Sequence, residues 1–184
     1  MVKVDATRFA TRLLHPRNLG IITTVDRSVK ANAATMAWIT PVSFDPPMVA
    51  VSIAPSRYTS ILIDDVKEFV VNIPTSDLLD KAFLFGTKSG KTVDKIELAK
   101  VTLRPAKIVK PPLIDECIAH LECQLSDRME VGDHILYIGR VLAADADESI
   151  YRDEKFDPGR GKLLLHIGGE YFTTTSNEVM KPSK

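Results

Sequence analysis

The chain has 184 residues, 45% of them hydrophobic and 26% charged, which suits one soluble globular domain with a full core. Lysine plus arginine and aspartate plus glutamate balance at 24 each, so no net field directs the protein to nucleic acid or to an acidic partner. No apolar run reaches membrane-spanning length, residues 1–14 lack the apolar stretch of a secretory leader, and two cysteines make no disulfide framework, so the expected compartment is the cytoplasm.

Residues 1–14 read as a short helix or an arm, ended by the breaker His15-Pro16-Arg17-Asn18. Residues 19–25 (LGIITTV) are rich in β-branched side chains and predict a strand; Asp26-Arg27-Ser28 predicts a hairpin turn into a second strand over 29–35. A third strand runs over 48–54, with Val49, Val51 and Ile53 on one face and Ala50, Ser52 and Ala54 on the other. Ser56-Arg57-Tyr58-Thr59 opens a helix over about 57–66, in which Tyr58, Ile61, Leu62 and Val66 recur at helical spacing. A buried strand over 68–73 (EFVVNI) ends at Pro74, and Ser76 or Asp77 caps a helix through Leu78, Leu79, Ala82 and Phe83. Gly86-Thr87-Lys88-Ser89-Gly90-Lys91 is a polar, basic loop, followed by Asp94-Lys95-Ile96-Glu97. Further strands are expected around 101–109, 114–125 and 133–144, then an acidic irregular excursion over 145–158. Closing strands follow over 163–167 and 171–175 around the Gly168-Gly169 turn. Many strands at short spacing with two or three helices predict a mainly β fold, a β-barrel with added helices, in one domain over 1–184.

The stretch 31–60 holds the chemistry. Residues 31–37 (ANAATMA) are nearly all small, so main-chain N–H groups there are open to a flat ligand, and Thr35 adds a hydroxyl. The plain alternative is a well-packed strand in a tight barrel interior. Ser52, Ser56, Arg57 and Thr59 make a candidate anion site: a helix beginning near Arg57 presents unpaired N–H groups and the positive end of its dipole, and Arg57 offers a bidentate fork. The alternative there is Ser56 as a simple N-cap with Arg57 solvated. The 86–91 loop is a second source of positive charge without the spacing of a P-loop; Ser89 and Lys95 are candidates, and Lys91 reads as solvated.

Asn32 with Thr35, Ala37-Trp38, Pro41-Val42-Ser43, Asp45-Pro46-Pro47, Val51-Ser52-Ile53 and Thr59 stand in an ordered series. Phe69-Val70-Val71-Asn72, Asp94-Lys95, Leu121-Glu122-Cys123 and Gly132-Asp133-His134 continue it. Over about 11–175 this series resembles the flavin reductase-like family, the FMN-binding split β-barrel proteins, and looks closest to their flavoredoxin-like branch. The resemblance implies FMN as cofactor, NADH or NADPH as co-substrate, and a homodimer with flavin sites near the subunit interface. Taken with the reading above, it implies cofactor contacts from Thr35, Met36, Ala37, Trp38, Ser52, Ser56, Arg57, Thr59, Ser89 and Lys95. It also implies that His134 lies at the mouth of the cleft near the nicotinamide or the reactive face of the flavin; a structural histidine at a strand end is the alternative.

His15, His120 and His166 share no metal-ligand spacing with each other or with the cysteines, so no metal is expected. Cys117 and Cys123 would share one face of a single strand, about 20 Å apart, too far for a disulfide. Trp38 would stack on the flavin edge or plug the core, and Tyr171 with Phe172 would pack in the core or wall the site. Serine–histidine–acid order, a carboxylate pair, a basic–aromatic interleave and a dinucleotide GxGxxG are all missing. The expected function is an NAD(P)H-dependent flavin reductase passing hydride to flavin and on to free flavin, ferric ion or a protein acceptor. The rival is a flavoredoxin-like electron carrier that works with protein partners and without nicotinamide.

Overall fold

The structure, a computed structural model, describes residues 1–183. Seven strands make one antiparallel sheet: β1 (Gly20–Val25), β2 (Ala31–Met36), β3 (Ile39–Phe44), β4 (Pro47–Ile53), β5 (Glu68–Ile73), β6 (Ala119–Val131) and β7 (His134–Ala146). Their spatial order is β2-β1-β5-β6-β7-β4-β3, so the two outermost strands, β2 and β3, follow one another in the chain. The longest pair, β6 and β7, has register shifts at Ile138/Gly139 and at Val141/Ala143. Such irregularities sharpen the twist and let the sheet curl. Gly139 is required at the first of them: a Cβ there would lie 2.4 Å from the Phe69 ring and 3.0 Å from the Cys123 Cβ.

β1 is buried along its whole length, which its β-branched sequence permits on both faces. Ile22 faces the barrel interior with Val51, Phe69, Cys123, Ile135 and Tyr137, capped by Ile63. Ile21 faces the other way, into a second cluster with Ala33, Ala82, Phe85, Ile114 and Leu164. Ile63 belongs to α1 (Tyr58–Val66); Ala82 and Phe85 belong to α2 (Leu79–Thr87), which follows a 3-10 turn at Ser76–Leu78. A short α3 (Lys95–Ala99) is capped by the Asp94 carboxylate, which accepts from the N–H groups of Ile96 (3.1 Å) and Glu97 (3.2 Å). A second sheet joins Arg17–Asn18 to β8 (Leu164–Gly168) and β9 (Tyr171–Thr174). Among the described residues no helix is long and apolar enough to cross a membrane.

The mainly β, split-barrel expectation holds, and several local expectations are corrected. The 101–109 segment pairs only at Leu103–Arg104, with Leu113–Ile114. Residues 107–109 are held as irregular chain by the buried Glu122 carboxylate, which accepts from the N–H groups of Lys107 (2.9 Å), Ile108 (2.7 Å) and Val109 (3.3 Å). The 114–125 strand is broken by a turn at residues 115–118, so Cys117 precedes β6 and Cys123 lies within it. The two thiols sit in different core clusters; burial raises both, Cys123 to about 12. Strand β3 was not predicted, and the stretch 145–158 opens with the end of β7 and then folds as a small hairpin, Tyr151–Arg152 against Lys155–Phe156. Residues 7–14 form an exposed 3-10 segment.

Candidate functional site

An edge strand carries a row of backbone N–H and C=O groups with no neighbouring strand to use them. Strand β2 is such an edge, and its end, with Ala37-Trp38, lines a cavity of about 580 Å³. Ser52, Ile53 and Ala54 at the end of β4 form one wall, and Ala82, Phe83 and Gly86 of α2 form another. The Trp38 carbonyl accepts the Ser52 N–H at 3.0 Å, which fixes the linker against β4. Thr35 donates its hydroxyl proton to the Ala82 carbonyl at 2.6 Å, so toward the cavity its oxygen serves as an acceptor.

A second pocket of about 300 Å³ adjoins this one and shares Thr35, Met36, Arg57 and Gly86 with it. Its other walls include Ser56, Tyr58 and Thr59 at the start of α1, Lys88, Ser89 and Gly90 from the loop after α2, and Lys95 at the start of α3. No side chain caps α1: Arg57 occupies the cap position and forms no side-chain capping bond; its carbonyl accepts the Ser60 N–H at 3.1 Å, and the N–H groups of Tyr58 and Thr59 are left for another partner. Lys95 is buried, and its ammonium donates to the Phe85 carbonyl at 3.1 Å. Burial first, and then the Arg57 charge, lower its pKa from 10.5 to about 8. Gly90 seats against Asn32, where a Cβ would come within 2.1 Å of Asn32 Oδ1 and 3.0 Å of Tyr58 Cδ1.

At the mouth of the larger cavity Trp38 stacks on His134, ring centroids 4.6 Å apart and planes 24° from parallel. The Arg17 guanidinium lies 5.3 Å from the Trp38 ring centroid. His134, the first residue of β7, holds the Asp133 carboxylate through Nδ1 at 2.7 Å. That hydrogen bond, with the histidine's charge, keeps Asp133 below the usual carboxylate range. With Nδ1 so used, Nε2 is the nitrogen left for a ligand.

Every candidate from the sequence therefore borders one of the two spaces, with one change of place. Ser52 lines the larger cavity and not the smaller pocket, so the small-faced strand supplies wall and the turn supplies polarity. Ser56, Arg57, Thr59, Ser89 and Lys95 meet in the smaller pocket; Met36 is common to both, and Ala37, Trp38 and His134 stand in the larger. Trp38, 40% exposed, is no core plug, and Tyr171 is exposed at 67% while Phe172 walls the cavity. His120 is structural: buried, it bonds Asp145 at 2.6 Å and the Ile114 carbonyl at 2.9 Å.

The sequence reading missed Arg12, His15, Arg17, Phe83 and His166, all on the cavity wall. Their signal was slight: the His15-Pro16-Arg17 breaker and the Gly168-Gly169 turn each bring a histidine to the rim, with rings 5.5 Å apart. No cluster of three or more potential metal ligands occurs among the described residues.

The chain is 40% identical over 154 residues to an uncharacterized protein of Archaeoglobus fulgidus, covering 83% of this chain and 86% of that protein. Flavoredoxin of Desulfovibrio vulgaris (Miyazaki F) superimposes with a TM-score of 0.88 at 26% identity, covering 98% of this chain and 97% of that one. Flavoredoxin from Methanosarcina acetivorans gives 0.85 at 26% identity, covering 98% and 94%. The profile of the flavin reductase like domain matches residues 12–175, and this chain is a member of that family.

Proposed function

We propose that the protein is an FMN-dependent oxidoreductase that takes hydride from NADH or NADPH and passes electrons to free flavin, ferric ion or a protein acceptor. The observation that carries this reading is the adjoining pair of spaces: a partly aromatic cavity and a polar pocket rich in cationic and hydroxyl groups, joined at Thr35, Met36, Arg57 and Gly86. Their chemistry fits FMN. The volumes suit a cofactor of that size, the edge of β2 offers backbone groups to a pyrimidine rim, and the bare start of α1 with Arg57 and Lys95 suits a phosphate. Bound FMN would supply hydride acceptance and stepwise electron release.

This chain's own residues would do the rest. Ser56, Thr59, Ser89, Arg57 and Lys95 hold the phosphate. Residues 35–37 and Trp38 set the ring, and His134 orients the nicotinamide over it with Nε2, since hydride transfer needs orientation more than proton traffic. A homodimer is part of the proposal: β3 is an exposed edge with Val42 and Phe44 bare, beside an apolar groove of about 480 Å³ that includes Leu14, Ile39 and Leu136.

The similarity to two flavoredoxins favours one other reading, an FMN electron carrier without nicotinamide. Purified protein should be yellow and release FMN on heating. Anaerobic NADH or NADPH should then bleach it within the turnover time; colour without bleaching selects the carrier, and a colourless protein that ignores added FMN refutes both.

A further inference from the structure

In a chain of zero formal net charge, the 22 residues lining the larger cavity include three arginines and three histidines and no aspartate or glutamate. Arg57 stands at the junction with the smaller pocket, where the proposed phosphate accounts for it. Arg12 and Arg17 stand at the other end, and neither forms an ion pair with a carboxylate among the described residues. They are held in place without one. Arg17 donates to the Thr11 carbonyl and lies over Trp38, while Arg12 lies 4.7 Å from the Phe9 centroid. Each keeps further N–H donors free. His15 and His166 close the same rim, with His166 bonded to the Gly169 carbonyl at 3.2 Å.

We infer that the cavity receives a second substrate carrying an anionic group, and that Arg12 and Arg17 bind that group beside the Trp38–His134 stack. The inference rests on the reading above in one respect, that the flavin ring lies along residues 35–37 and leaves the rim for the second molecule. Guanidinium is the right receptor for a planar carboxylate or a phosphate oxygen pair, because its fork matches both bidentately. A neutral aromatic of the same shape would gain the stack and forgo the ion pair. Two sources share this chemistry: the diphosphate of the reduced dinucleotide, and a carboxylate on an aromatic acceptor.

The test uses FMN-loaded wild type and the R12Q/R17Q variant, with flavin content and melting measured first. Calorimetry compares benzoate with its neutral isostere benzamide, and anaerobic stopped flow compares NADH with the diphosphate-free N-benzyl dihydronicotinamide. The expected result is a loss of about ten-fold or more for the anionic member of at least one pair, with the neutral member changed less than about two-fold. Loss confined to benzoate identifies a carboxylated substrate, and loss confined to NADH identifies the diphosphate. Unchanged behaviour with both anions, or equal loss of anionic and neutral members, overturns the inference. If the double variant melts early, R12Q alone, at an exposed position, repeats the comparison. If wild type takes up no FMN, the proposed function fails by itself, and benzoate against benzamide on the flavin-free chain still decides the anion site.

Discussion

Lys95→Met separates the cost of a buried charge from its use. The lysine stem is packed and its ammonium bonds the Phe85 carbonyl, while burial and then the Arg57 charge lower its pKa from 10.5 to about 8. Between about pH 8 and pH 10.5 the folded chain carries the neutral amine and the unfolded chain the ammonium. The unfolded state then binds more protons, so stability rises with pH across that window, and below it the whole penalty is in force. That penalty is at most ~3 kcal/mol. Methionine keeps the stem's volume but leaves the Phe85 carbonyl without its donor, a loss of about 1 kcal/mol. The net expectation for the flavin-free variant near pH 7 is a gain of ~2 kcal/mol, or about 6 °C in melting temperature for a chain of this size. The gain should shrink toward pH 10 as the wild-type ammonium loses its proton. FMN affinity should fall about ten-fold or more in the variant while riboflavin, without the phosphate, binds as before. In wild type, FMN affinity should decline above about pH 8, because the bound phosphate draws a proton back onto Lys95. Differential scanning fluorimetry at the two pH values and flavin-quenching titrations read all of this. A variant that melts below wild type near pH 7 and holds FMN equally well would refute both the buried-charge argument and the anion pocket.

Arg57→Ala should weaken FMN retention by about ten-fold and riboflavin retention little, with the flavin-free unfolding free energy changed by less than ~0.5 kcal/mol, since the side chain is exposed. His134→Ala should slow anaerobic bleaching by NADH about ten-fold or more while FMN stays bound; an unchanged rate removes the orienting role assigned to that ring. Gly139→Ala should cost ~1–3 kcal/mol, because the new methyl meets the fully buried Phe69 ring, and chemical denaturation would expose the error if stability held.

Which parts were legible in the sequence depends on whether local pattern and tertiary environment agree. Strands β1 and β5 stand where their β-branched runs put them, and β5 matches its predicted 68–73 bounds. Strand β3 was illegible because Pro41 interrupts it and the Pro46-Pro47 pair follows close behind, which leaves little pattern of a strand. A proline is tolerated at position 41 because the strand is an edge with no outer neighbour asking for donors. The segment 101–109 looked like strand but forms loop, since a distant carboxylate, Glu122, satisfies its N–H groups in place of a ladder. The smaller pocket was legible as polar residues gathered around one helix start. The rim of the larger cavity was not. Arg12, Arg17 and His166 reach it from both ends of the chain through the pairing of Arg17 with His166, and no short window contains such a contact.

The position of the site follows from the order of the strands. In a sheet arranged β2-β1-β5-β6-β7-β4-β3 the two free edges belong to consecutive strands, so the chain must carry one edge to the other across a linker of two residues, Ala37 and Trp38. A linker that short holds the edges close while leaving the seam unsealed by strand pairing. Small side chains before it keep the main chain accessible. The large ring of Trp38 at its end is turned out onto His134, because the interior is already filled by Phe69 and Tyr137. Helix α1 begins just after β4, the strand paired with β3, and α2 packs on β2, so a helix start and a helix flank meet at the same seam. Two adjoining spaces are therefore bounded by bare backbone, an aromatic stack and a helix terminus without a side-chain cap, and each arises from how this barrel fails to close.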